Sequence, residues 1–264
     1  VSLKTTLCAP MIPMRLTRTL DLLCDAALAL AYPLPCAACE TACVEHRADI
    51  PACSACWDAT TIFSGDETLC WKCGTPAHAE VSAEKRQDVR CRRCDADHFT
   101  AARSVGVYEG ALRASVLRLK RESHVGARLA RLLYEAQRRP PLDAATRVIP
   151  VPLHAERERE RGFNQAASIA RAVAAQARLP LDEWSVARTA HTERHRAGMD
   201  ARARRETVED AFKVVRPRLV AGERVLLVDD VLTTGATVSA CAHALREAGA
   251  LDVFVLTIAR ASLG

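Results

Sequence analysis

The sequence predicts an α/β protein in two parts: a cysteine-rich, metal-binding module, then a mainly parallel sheet with helices on both faces. Three observations carry that expectation. Four Cys-x-x-Cys pairs stand in line between Cys36 and Cys94. Beyond Cys94, short aliphatic runs alternate with segments of helical periodicity, the pattern of strands crossed over by helices. One run, VLLVDDVLTTGAT (225–237), leads into two adjacent acids and then into a loop of hydroxyls with one glycine.

The chain has 264 residues, enough for one large domain or two smaller ones. With 49% hydrophobic and 26% charged residues, a packed core is expected rather than disorder. A net charge of +5 is modest for this length and singles out no class of partner. The first apolar stretch, 20–35, carries Asp21 and Asp25 and is too short to cross a bilayer. The same acids interrupt what would be the apolar core of an export signal. Residues 1–35 therefore read as a leader holding an amphipathic packing helix over 16–31, closed before Pro33. No membrane span is expected, and the chain reads as cytoplasmic.

Residues 36–98 read as a zinc module. The pairs are Cys36/Cys39, Cys53/Cys56, Cys70/Cys73 and Cys91/Cys94. Two thiolates three positions apart clamp one ion from a tight turn, and a second such turn completes a tetrahedron with Zn–S distances of about 2.3 Å. Eight ligands match two closed, structural Zn2+ sites, with the first two pairs joined and the last two joined. A single site with four spare cysteines is the alternative. In CWKCG, Gly74 follows the second cysteine, where such a turn takes a positive φ. A disulfide framework is disfavoured because nothing marks the chain for export. Cys8, Cys24 and Cys241 read as small apolar residues, while Cys43, His46, His78 and His98 stand where they could substitute as ligands.

Residues 99–264 read as the sheet domain. A strand over 102–110 leads to a helix marked by Leu112, Val116 and Leu119. Val125, Leu129, Leu132 and Leu133 mark a second helix ending before Pro140. RVIPVPL (147–153) is a strand closed by prolines, a helix follows over 164–177, and 253–260 is the last strand. The run 224–228 reads as a buried strand with Asp229 and Asp230 at its carboxyl end. The helix over 237–247 turns Val238, Cys241, Leu245 and Ala248 to the sheet.

Between that strand and helix, the Thr233, Thr234 and Thr237 hydroxyls and the backbone amides gather at a helix N-terminus, an anion site. Gly235 would let the backbone approach a phosphate. Two carboxylates there would repel the anion unless aimed at hydroxyl donors or a cation. A ribose 5-phosphate satisfies both halves, with acids on the ribose hydroxyls and the loop on the phosphate. Neither a P-loop nor a dinucleotide glycine motif is present.

VLLVDDVLTTGAT resembles the phosphoribosyl pyrophosphate (PRPP) signature of type I phosphoribosyltransferases. With VIPVPLHAERERERGFNQA and the upstream cysteine array, a zinc ribbon in that setting, the chain resembles the ComF family of competence-related proteins. The resemblance implies that Asp229 and Asp230 hold the ribose hydroxyls. It implies that Val231, Leu232, Thr233, Thr234, Gly235, Ala236 and Thr237 form the PRPP stretch. Val151, Pro152, Leu153 and His154 match the pyrophosphate loop, and Mg2+ is expected to arrive with PRPP. The reaction implied is transfer of ribose 5-phosphate to an unidentified acceptor.

Of Arg157, Arg159 and Arg161, the last is the expected catalytic residue stabilising departing pyrophosphate. Residues 188–212 match a mobile catalytic loop, but Arg196, Asp200 and Thr207 replace the usual glutamine, serine and asparagine, and RES (121–123) follows Lys120 in place of the usual aromatic-Arg-Gly. A PRPP- or nucleotide-binding adaptor without turnover is therefore the alternative. Either reading implies a role in DNA uptake beside a helicase-like or DNA-processing partner. Direct DNA reading is disfavoured, since 36–94 is neither strongly basic nor aromatic.

Overall fold

The computed structural model describes residues 32–77, 81–189 and 211–261. The helix expected over 16–31, Cys8, Cys24, His78 and nearly all of the expected catalytic loop lie outside the described residues.

Among the described residues there are six strands: β1 Ala101–Val107, β2 Arg147–Pro150, β3 Val186–Arg188, β4 Phe212–Val214, β5 Arg224–Leu232 and β6 Asp252–Arg260. The helices are α1 Ser54–Asp58, α2 Gly110–Leu119, α3 Ala127–Gln137, α4 Ala155–Arg161, α5 Gln165–Ala177 and α6 Ala236–Glu247. The main sheet is parallel throughout, in the order β1, β6, β5, β2, and β3 pairs with β4 as a separate antiparallel ribbon.

The central strands are continuous aliphatic runs because both of their faces are covered. Val148, Leu226, Val228, Phe254 and Leu256 turn to one face and pack with Leu112, Leu133, Ile169 and Val173 of α2, α3 and α5. Their alternates Ile149, Val225, Leu227, Val253 and Val255 turn to the other face and meet Val238, Cys241 and Leu245 of α6. None of the helices among the described residues is long and apolar enough to cross a membrane.

Two elements differ from the sequence reading. That reading ends the strand at 228, yet β5 continues through the acids, because β6 offers a partner to the end: Asp229 pairs with Thr257 and Leu232 with Arg260. Asp229 and Asp230 are thus strand residues. The ERERER run reads in sequence as a lead-in and instead forms α4, with Glu156 and Glu158 in its first turn and Arg159 and Arg161 in its last. That order complements the helix dipole.

The cysteine-rich segment lies against the sheet. Ile62 bridges Gly106 in antiparallel sense, with the Phe63 amide donating to Val105 O (2.8 Å) and the Val107 amide to Thr61 O (3.0 Å). This strip covers the outer edge of β1. Cys36, Cys53 and Trp57 join the core on the α2–α3 face, whereas Cys70, Cys73 and Cys94 join it on the α6 face.

Candidate functional site

β2 and β5 are neighbours, yet α5, the second helix after β2, packs on one face of the sheet and α6, the helix that follows β5, on the other. The chain parts at their carboxyl ends. Such a crevice is where ligands sit in open α/β sheets.

Both acids open onto it, half-buried. The Asp229 Oδ1 accepts from the Asp230 amide (2.9 Å), and the Asp230 Oδ1 from the Val231 amide (2.7 Å). Burial, and then the charge of Asp230, push the Asp229 carboxyl up to about 8, against the Asp230 amide and the cations Arg188 and Lys120. Lys120 and Arg188 are thus the cations whose charge reaches Asp229. Strand alternation sets Asp229 toward Cys241 of α6, whose buried thiol is raised by burial and then by the Asp229 charge.

Asp230 turns the other way, and its Oδ2 accepts from Gln165 Nε2 (3.4 Å). Gln165 Oε1 in turn accepts from Arg161 Nη1 (2.9 Å). The structure thus links Arg161 to the acid pair through Gln165. Arg159 instead lies along its own helix, with Nε donating to Ala155 O (3.2 Å). Sequence reasoning misses Gln165; its one signal is its place just after the Asn164 cap in GFNQ.

At the expected pyrophosphate loop, the Val151 amide donates to Val228 O (2.9 Å), and Pro152 has no amide. The first amide of the loop beyond the sheet ladder is therefore that of Leu153. Asn164 pins this loop to α5: its side chain accepts from the Ala166 amide (3.0 Å) and donates to Val151 O (3.0 Å). His154 caps α4, with Nδ1 accepting from the Glu156 amide (3.3 Å). A cavity of about 510 Å³ opens beside the loop, lined by Pro152, Leu153, Phe163 and the exposed Trp184.

Thr233, Thr234 and Ala236 are exposed, Thr237 is half-exposed, and Gly235 is buried at the N-cap of α6 with φ 86°. A glycine is required by that left-handed conformation. It also supplies no side chain to cap the first turn; apart from the Ala236 amide, which donates to Thr234 Oγ1 (3.4 Å), the first-turn amides are left for an external anion.

The eight cysteines gather as the sequential pairing predicts: Cys36, Cys39, Cys53 and Cys56 in one cluster, Cys70, Cys73, Cys91 and Cys94 in the other. In the second, the Cys70–Cys94, Cys73–Cys91 and Cys91–Cys94 sulfurs lie 3.6, 3.5 and 3.5 Å apart. A tetrahedron with arms of about 2.3 Å has edges of about 3.8 Å, so four thiolates here fit a zinc ion. The amides of Ala38 and Cys53 donate to Cys36 Sγ, and that of Cys91 to Cys70 Sγ, as they do to metal-bound thiolates. Gly74, at φ 69°, closes its turn so tightly against β1 that a Cβ would lie 2.7 Å from Ala102 O. Cys43 is exposed and, like His46 and His98, stands outside both clusters.

The phosphoribosyl transferase domain family matches residues 163–262, which run from the pinned loop through the acids to the end of β6. The fold and crevice thus belong to a phosphoribosyltransferase-type domain, here joined to two four-cysteine centres. DNA utilization protein YhgH of Shigella flexneri is 33% identical over 217 residues, covering 79% of this chain and 89% of that protein. Competence protein F of Haemophilus influenzae is 37% identical over 138 residues (50% and 60% covered), and Competence protein ComFC of Bacillus subtilis 32% over 114 residues (43% and 44%). This chain belongs to the ComF family. Among solved structures, a glutamine PRPP amidotransferase of B. subtilis covers 62% of this chain and 30% of its own at 20% identity, with a TM-score of 0.36, too slight a likeness to argue from.

Proposed function

We propose that this chain binds PRPP in the crevice between β2 and β5 and transfers its ribose 5-phosphate to an acceptor. The observation that carries the reading is the Asp229–Asp230 pair followed, on the next turn of chain, by a helix start whose N-cap, Gly235, has no side chain to close it. Acids take the ribose hydroxyls, and the loop 233–237 takes the 5′-phosphate. Leu153 and the Gln165-linked Arg161 meet the pyrophosphate. The bond from the anomeric carbon to the pyrophosphate oxygen breaks as the acceptor's lone pair forms the new bond, and the acceptor's proton leaves with pyrophosphate or solvent. The protein positions the reactants and stabilises the developing charge. Mg2+ arriving with PRPP would supply positive charge against the leaving pyrophosphate, and no residue of the chain is assigned to hold it.

The names of the relatives, DNA utilization and competence, support a role in DNA uptake, and we infer that this chain plays it on the cytoplasmic side. There 36–98 would form the zinc module that docks a helicase-like or DNA-processing partner, 99–264 would form the transferase domain, and 1–35 would lead into them. A second reading, a PRPP-binding adaptor without turnover, is favoured by Arg196, Asp200 and Thr207 in the catalytic-loop sequence.

Calorimetry with PRPP, with and without Mg2+, tests the proposal on the zinc-replete chain beside an Asp229→Ala/Asp230→Ala variant. Loss of two charge-assisted hydrogen bonds should weaken binding about a hundredfold or more. No binding to the wild type, or equal binding to both, sinks the ribose-phosphate reading. Binding with no pyrophosphate release selects the adaptor.

A further inference from the structure

We propose that the second four-cysteine centre is a working part of the phosphate loop: a metal held by Cys70, Cys73, Cys91 and Cys94 fixes the shape of 233–237, and the first centre does not. The identity of the loop's ligand rests on the reading above; the coupling between metal and loop does not.

The two features share one small cleft. Cys73, Arg93, Cys94, Asp97 and Phe99 line it from the module side, and Leu232, Thr234, Gly235 and Arg260 from the loop side. A turn closed by the Asp97 amide on Cys94 O (3.1 Å) carries Asp97 and Phe99 beneath Gly235. A Cβ at Gly235 would lie 3.5 Å from Asp97 Oδ2 and 3.7 Å from Phe99 Cε1, so these two side chains are the floor of the loop.

Both anchors of the loop are tied to residues near a metal ligand. On the strand side, Leu232 sits opposite Arg260, which donates through Nη1 to Cys73 O (2.5 Å), with Nη2 3.9 Å from Cys73 Sγ. On the helix side, Ser239 Oγ accepts from the His98 amide (3.0 Å), and the His98 and His243 rings are 4.5 Å apart. The first Cys–Gly turn is itself fixed to the sheet, with the Ala102 amide donating to Lys72 O (2.6 Å).

Without the ion the two turns keep the Cys91 amide on Cys70 Sγ (3.3 Å) and the Trp71 amide on Val89 O (2.8 Å), neither of which holds Cys73 to Cys94, so losing the ion frees those two to separate. Arg260 and the 97–99 floor would move with them. The first cluster packs instead with Trp57, Leu112 and Leu129 on the opposite face of the sheet. Coupling of this kind is reciprocal, so an anion in the loop should also slow loss of metal from the second centre.

The test compares Cys91→Ser with Cys39→Ser in the full chain. Zinc content, hydrogen exchange of 232–239 and calorimetric affinity for PRPP and for ribose 5-phosphate are measured on each. Exchange in 232–239 should quicken in Cys91→Ser and stay at the wild-type rate in Cys39→Ser. Affinity should fall about tenfold further in the former than in the latter. Equal effects in the two variants, or a loop still protected in Cys91→Ser, overturn the proposal. If the wild type binds neither ligand, the ribose-phosphate reading falls while exchange still decides the coupling. Should Cys91→Ser fail to fold, Asp97→Ala keeps all eight thiols: faster loop exchange with full zinc content supports the coupling, and unchanged exchange refutes it.

Discussion

The two four-cysteine centres share ligand type and spacing and differ in what they hold. The first is a plug in an apolar layer. Beside it Trp57 is 1% exposed, its Nε1 donates to Asp49 O (2.6 Å), and the Arg128 guanidinium lies 4.9 Å over its ring while also pairing with Asp49 (3.4 Å). The second centre is set among buried cations. Arg103 and Arg260 are 8% and 7% exposed, and burial lowers the Arg103 guanidinium only to about 10, so it stays charged at neutral pH. Four thiolates on a dication leave net negative charge, which these arginines offset in a low-dielectric setting. One ligand set thus packs into the apolar core on one face of the sheet and, in our proposal, supports the phosphate loop on the other.

The largest expected effect breaks the comparison from the side of the first centre. Trp57→Ala removes a fully buried ring and leaves the Asp49 carbonyl with the Ala52 amide (3.1 Å) but without the indole donor. Unfolding free energy measured in urea should fall by about 3–5 kcal/mol. Zinc in the second centre and exchange protection of 232–239 should persist under native conditions. If both are lost together with the tryptophan, the centres are one unit and the contrast between them fails.

The second effect acts from the other side. Arg260→Gln removes a cation from beside Cys73 and weakens the support of its carbonyl. A change of this kind in the outer shell of a metal site costs about ten- to a hundredfold in affinity. Competition with a chromophoric chelator should resolve two classes of zinc, only one of them weakened. An equal loss at both centres would show that Arg260 acts through global stability.

Much of this contrast is absent from the sequence. The Cys-x-x-Cys spacing announces four thiolate half-sites because each is local, whereas how many sites they make and which pairs join is decided only when the fold gathers them into two clusters. The aliphatic runs announce strands for the same reason. That one cluster lies on the α2–α3 face and the other under Gly235 depends on the strip at Ile62 crossing the edge of β1, a pairing with no local mark. The acids read as lying beyond the strand because carboxylates are poor strand formers, and the pairing of Asp229 with Thr257 and of Val231 with Ala259 overrides that preference. Gln165 stands in a legible motif, yet only the fold brings it to Asp230, far along the chain.

The smallest effect separates the crevice from both metal centres. Asp229 keeps its proton to about pH 8 in the folded chain, through burial and then the neighbouring Asp230 charge. An unfolded aspartate loses its proton near pH 4. Between those values the folded state binds the extra proton, so stability falls as pH rises through this window. Ligand affinity should run the opposite way, since ribose hydroxyls are donors and need the ionised carboxylate as acceptor. Melting temperature and PRPP affinity, followed from about pH 5 to 8 on the zinc-replete chain, should therefore slope in opposite directions. Asp229→Asn should flatten the stability slope attributable to this group and remove the gain in affinity, with zinc content unchanged. A variant that keeps both slopes would place the titrating group elsewhere, and the acid pair would lose its part in binding.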